Sequence, residues 1–139
     1  MDGPLIPSPE RQAWILANMP NVIVATVRRS GLPQVTPNWY LWTGGEIWIS
    51  TSAATAKYHN LRRDPRIVLC IDDPEGGDYV QMIGTATIIE GPAVREPTIE
   101  LIRKYMDEPA VIPHWETIST ASECILIVVR PDRFLWHDR

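Results

Sequence analysis

A small antiparallel barrel, mainly β with short helices, is the fold this sequence predicts, and three observations predict it. Short, apolar, β-branched stretches recur along the chain and are separated by tight turn signals. The helical stretches between them are brief, with no long helix after each strand as a parallel α/β sheet requires. The glycine fingerprints of phosphate-binding loops are absent. Residues 1–139 are taken as one domain, a size that buries a sizeable core.

The elements follow in order. Ser8-Pro9-Glu10 opens a helix, with Ser at the N-cap, Pro at the first helical position and an acid in the first turn. Trp14, Ile15, Leu16 and Met19 share one face of it until Pro20 ends it. "NVIVATVRR" is the first strand and "PQVTPNWYLW" the second, with Ser30-Gly31 between them. Pro37 inside the second strand cannot donate to a central ladder, so it belongs at an edge, a bulge or a place where something other than a strand meets the backbone.

Thr43-Gly44-Gly45 is a hairpin turn into the third strand, "EIWIST". A short helix over "TAKYHNLRRDP" ends at Asp64-Pro65, because a proline disfavours helical geometry in the residue before it. "RIVLCID" is the fourth strand and "YVQMIGTATIIE" the fifth, with Gly84 where a bend or bulge belongs. Ile99, Ile102 and Met106 recur at three- and four-residue steps and predict an amphipathic helix over residues 96–106. "ECILIVVR" is the sixth strand, and "PDRFLWHDR" trails it. The expectation is six antiparallel strands.

Charge and composition exclude several classes. The net charge is −4 and the basic residues form no extended stripe, so nucleic acid is not an expected partner. No stretch approaches the length of a membrane span, and "MDGPLIPSPERQ" has neither a basic nor an apolar leader region, which favours a cytoplasmic protein. Cys70 and Cys124 sit in strand-like runs, away from metal or redox spacing, and read as reduced core thiols. No His/Cys/Asp/Glu grouping has metal-ligand spacing, and no nucleophile motif is present. The 6 tryptophans suit a core, a ring-stacking pocket or a subunit interface.

The informative segment is "STSAATAKYHNLRRDPR". A strand ends at Ser50-Thr51, a polar loop follows, and Lys57 stands as an exposed lysine in the first turn of a helix. Unpaired N–H groups and partial positive charge at a helix start, with hydroxyls and a lysine beside them, make a phosphate seat. Asn60 adds a donor, and Arg62 and Arg63 reinforce the field. A solvated charged face is the competing reading.

The succession "VTPNWYLW", hairpin, "EIWIST", "AKYHNLRRDPRIVLCID" and "YVQMIGTATI" resembles the pyridoxamine 5′-phosphate oxidase-like family, the FMN-binding split barrels. The run "K..N..RDPR" and the later "Y....GTA" carry it, over about residues 12–130, and "NLRRDPR" is similar to the family's short branch of F420-dependent oxidoreductases.

That resemblance implies a six-stranded split barrel and a homodimer with sites at the subunit interface. It implies that the backbone through Val35, Thr36, Pro37, Asn38, Trp39 and Tyr40 lies along a flavin-type ring. Ser50 and Thr51 then meet the ring or ribityl chain, Thr55 and Lys57 hold the phosphate, and Asn60 and Arg63 support it. Tyr79, Arg133 and Trp136 reach the partner's cofactor. Thr55 and Ala56 stand where the family often carries an arginine, which removes one charge from the seat. The tail "PDRFLWHDR" lacks the features that grip pyridoxine phosphate, so vitamin B6 oxidation is not expected.

The implied cofactor is the deazaflavin coenzyme F420 or FMN, with F420 favoured, and the implied activity is hydride transfer to or from a small organic substrate. No catalytic acid or base is named. A non-catalytic carrier or sensor of flavin, haem or another tetrapyrrole on the same barrel is the alternative, with His137 as its candidate ligand.

Overall fold

The computed structural model describes residues 6–138. It is mainly β, a curled antiparallel sheet of 8 strands with short helices packed on it. Helix α1 (Pro9–Asn18) opens as its caps dictate, with the Ser8 hydroxyl accepting from the Arg11 N–H at 3.2 Å. Strands β1 (Val22–Val27) and β2 (Pro33–Asn38) follow, then β3 (Tyr40–Thr43), β4 (Glu46–Ser52), α2 (Ala56–Arg63) and β5 (Arg66–Asp72). The 12-residue β6 (Asp78–Ile89) leads through a 3₁₀ turn to α3 (Arg95–Arg103) and α4 (Glu108–Ala121), and β7 (Cys124–Val129) and β8 (Arg133–Asp138) complete the chain.

The sheet order is β2-β1-β5-β6-β7-β4-β3, with β8 pairing the free edge of β6. Its two end strands, β2 and β3, are chain neighbours separated by Trp39 alone. A one-residue link forces the ends of the sheet together, and this curls it into a half-barrel. Among the described residues β2 pairs only with β1, so Pro33 and Pro37 sit on an edge strand where a missing N–H costs no ladder bond.

The expected count of six strands is therefore corrected to eight, for two reasons. The stretch "PQVTPNWYLW" is two strands, because Trp39 turns the chain out of the β1 ladder and into the β4 ladder. The tail is a strand too, since the edge of β6 left open by β5 and β7 pairs with it from Asp78↔Asp138 to Ile83↔Arg133. Gly84 marks the point where β6 passes from β5 to β7. A Cβ there would stand 3.3 Å from Val129 Cγ1 and 3.4 Å from the Arg130 carbonyl, closer than packed atoms ordinarily sit.

The core fills the inside of the curl with Ile15, Val24, Tyr40, Ile47, Ile49, Leu69, Ile71, Val80, Met82 and Ile127. Each such side chain contributes about 1.5–3 kcal/mol on burial. Strand β7 is buried on both faces, because Leu126 packs on the outside against Leu101 and Val94 while Ile125 and Ile127 face inward. That explains its unbroken apolar sequence. Among the described residues no helix is long and apolar enough to cross a membrane.

Candidate functional site

The site grows from the corner at Trp39. Where β2 ends and β3 begins, backbone groups lose their ladder partners and side chains of the α3 end replace them. The Tyr40 N–H donates to the Tyr105 hydroxyl at 2.9 Å. That hydroxyl lies 2.9 Å from the Pro20 carbonyl and 3.1 Å from the Tyr40 carbonyl. The Lys104 ammonium donates to the Met19 and Tyr40 carbonyls at 2.9 and 3.1 Å and rests 3.4 Å over the Tyr40 ring. Burial lowers its pKa to about 8. Burial likewise pushes the Tyr40 phenol upward, and its hydroxyl donates to the Leu16 carbonyl at 2.7 Å.

On this corner the Trp39 indole lies flat against the Tyr105 ring, 4.2 Å between centroids and 1° between planes. The His114 ring from α4 stands 5.8 Å away, tilted by 33°. Trp39 and His114 border a cavity of about 470 Å³, within the usual range of small-molecule sites. Its floor is strand residues: Pro37, Asn38 and Trp39 from the corner, then Ser50, Thr51 and Ser52 from β4. Its roof is helical: Leu101 and Ile102 from α3, and His114 and Ile118 from α4. Hydroxyls below and aliphatic carbons above suit a planar ring with polar edges.

Lys57 meets this floor from behind. Thr55 caps α2, accepting from the Tyr58 N–H at 3.4 Å and donating to the Ser52 carbonyl at 2.9 Å. The first helical turn then carries Lys57 inward. It is 6% exposed, not the exposed lysine expected, because α2 lies along the sheet with that face down. Its ammonium reaches Thr51 Oγ1 at 3.5 Å, burial lowers its pKa, and no ion pair among the described residues includes it. A buried ammonium without a carboxylate is costly, and an anion at Thr51 would relieve that cost.

The other basic groups of the segment are engaged elsewhere. Arg62 bonds Glu90 at 2.9 Å and the Tyr58 hydroxyl at 3.2 Å. Arg63 donates to the Val27 carbonyl. Arg66 bonds Asp64 at 2.7 Å and holds its carboxyl down at about 2. Asn60 is also 6% exposed, and its amide donates to Thr26 Oγ1 and Gln34 Oε1, both at 3.1 Å, tying α2 to β1 and β2.

The sequence-derived residues thus fall into three groups. Pro37, Asn38, Trp39, Ser50 and Thr51 line the cavity, with Lys57 behind Thr51. Thr55, Asn60 and Arg63 hold α2 in place, while Thr36 donates to Asn38 Oδ1 at 2.9 Å and Val35 points outward at 59% exposure. Tyr79, Arg133 and Trp136 lie on the β6–β8 ribbon outside the cavity lining, with Tyr79 stacked on His137 at 4.7 Å. Sequence reasoning missed His114, Ile118 and Cys124 as lining residues, along with all of α4. Pro109 and Pro113 obscure that helix, and Val111 is its one buried residue among those described, so no apolar periodicity announces it.

The sequence matches the family model described as pyridoxamine 5′-phosphate oxidase over residues 8–134. The chain belongs to the pyridoxamine 5′-phosphate oxidase-like family. Solved structures of similar fold include the conserved hypothetical protein Rv2991 of Mycobacterium tuberculosis, at 24% identity and TM-score 0.83, covering 99% of this chain and 88% of that one. A structure named F420 reductase aligns at 24% identity and TM-score 0.73, over 94% of this chain and 98% of that one. A putative pyridoxamine 5′-phosphate oxidase of Listeria innocua aligns at 19% identity and TM-score 0.68, over 91% and 95%. At these identities the likeness concerns the family's split-barrel fold, of which the curled sheet is an instance.

Proposed function

We propose that the chain is a flavin- or deazaflavin-dependent oxidoreductase that moves a hydride between its bound cofactor and a small organic substrate. One observation carries this reading: the buried, carboxylate-free Lys57 meets, at Thr51, a cavity with a hydroxyl floor and an apolar roof. Lys57 and Thr51 would hold the cofactor phosphate, with Ser50 beside them. The backbone of Pro37 to Trp39 would support the ring, and Leu101, Ile102 and Ile118 would keep water from it. The cofactor supplies the two-electron chemistry, and the protein binds, orients and shields.

Coenzyme F420 is supported by the likeness to the structure named F420 reductase. FMN is a second reading, because an acidic deazaflavin tail needs a basic rim while Arg62 and Arg66 are paired with Glu90 and Asp64. A homodimer belongs to the same proposal. Val35, Ala25 and Val68 form one row across β2, β1 and β5, and the outer two are 59% and 42% exposed, an apolar strip suited to a second copy.

Titrating the purified protein with FMN and with F420, following cofactor and tryptophan fluorescence, tests the reading. Binding of at least one, with its redox state changed by an added acceptor, is the expected result. No binding of either refutes it, and binding without any redox turnover assigns the barrel to a carrier or sensor.

A further inference from the structure

The helical roof of the cavity is aliphatic at Leu101, Ile102 and Ile118, and His114 is its one residue with a hydrogen-bonding side chain. Half-buried beside Trp39, its ring nitrogens make no hydrogen bond to the protein among the described residues. Among those residues no buried side-chain nitrogen or oxygen lacks a partner, so the free nitrogens of His114 face open space. The ring is nonetheless placed, because it leans on a Trp39 indole that Tyr105 holds flat. Other groups near this corner are spent or weak. The Lys104 ammonium and Tyr105 hydroxyl are engaged with backbone carbonyls, Asn38 Oδ1 accepts from Thr36, and burial keeps the Cys124 thiol neutral.

We propose that His114 sets the redox potential of this site: it donates an N–H to the polar edge of the bound cofactor ring and holds the reduced ring more tightly than the oxidised one. The inference rests on the oxidoreductase reading above. FMN and F420 share a pyrimidine-type edge of ring nitrogens and carbonyl oxygens. Uptake of a hydride adds two electrons and one proton to the ring, and the net negative charge spreads onto that edge. Beneath an aliphatic roof such charge is costly unless a donor meets it, and a donor already in place stabilises it. The oxidised ring carries no added charge and gains less from the same N–H. Only that difference moves the equilibrium, and it raises the potential. Imidazole offers an N–H in either protonation state. His114 is thus a tuning group, while the ring carries the electrons.

The test equilibrates protein loaded with whichever of FMN or F420 binds against a two-electron reference dye, and reads the midpoint potential from the two absorbances. H114F should bind the oxidised cofactor nearly as the parent does and lose roughly ten- to a hundredfold in affinity for the reduced one, the range of a charge-assisted hydrogen bond. Its midpoint should then fall by about 30–60 mV, at about 30 mV per decade for a two-electron couple. H114Q keeps an N–H donor and should recover part of the drop. In the parent, the His114 imidazole nitrogen resonances, identified by elimination with H59Q and H137Q, should move further when the bound cofactor is reduced than when the oxidised form first binds. A parent-like potential in H114F, or His114 resonances indifferent to reduction, overturns the assignment. If H114F binds no cofactor, the parent's resonances decide, since they need no change at this position. A parent that binds neither cofactor defeats the oxidoreductase reading itself.

Discussion

Replacing Lys57 by methionine removes the ammonium and keeps an unbranched side chain that fills similar space. The side chain is 6% exposed, its nitrogen reaches Thr51 Oγ1 at 3.5 Å, and burial lowers its pKa. A lysine whose folded pKa is depressed opposes folding while it stays charged, so the ligand-free variant should unfold at the same temperature as the parent or higher. Cofactor binding should move the other way. A charge-assisted contact to phosphate contributes about 1.5–3 kcal/mol, which predicts a ten- to hundredfold rise in Kd at roughly 1.4 kcal/mol per decade. The loss should vary little with salt, because a buried contact is poorly screened.

Fluorescence titration with FMN and F420 at two ionic strengths, beside a thermal melt without ligand, measures both effects. Arg62→Ala is the comparator: its exposed pair with Glu90 is worth about 0–1 kcal/mol and should leave affinity nearly unchanged. A Lys57→Met variant whose Kd stays within about twofold of the parent's, a difference well below one decade, while its melting temperature falls would show that Lys57 is structural. The phosphate would then lie elsewhere.

Two further outcomes follow from the same geometry. Asn60→Ala strips the partner from Thr26 and Gln34 beneath α2 and should destabilise the fold by about 2 kcal/mol in urea unfolding; unchanged stability with weakened cofactor binding would instead make Asn60 a ligand contact. Lys104 has a folded pKa of about 8 against 10.5 unfolded, so between those values the unfolded chain holds a proton the folded one has released. Stability should therefore rise from pH 8 toward 10.5, and that rise should flatten in Lys104→Met when urea midpoints are compared across the range. A parent whose pH dependence matches the variant's would rule out this titration.

What the sequence determined by itself is local. Ser8-Pro9 starts α1, Gly44-Gly45 turns the β3–β4 hairpin, Pro37 bars a central ladder position, and the unbroken apolar run of β7 makes a strand, because each depends on the dihedral or burial preferences of neighbouring residues. The Thr51 to Lys57 stretch could be singled out for the same reason, since its hydroxyls, cap and lysine are contiguous, and its role as an anion seat is the proposal tested above. Tertiary structure decided the rest. Trp39 breaks one apparent strand into two only because its ring has Tyr105 to lie on, 66 residues away in sequence (105 − 39), and β8 exists only because β6 offers it an unpaired edge. Burial of Lys57 likewise depends on which face of α2 meets the sheet, and His114 reaches the cavity only through a helix without apolar periodicity. Such features are set by partners distant in the chain, whose contacts outweigh local preference and leave no spacing in the sequence to read.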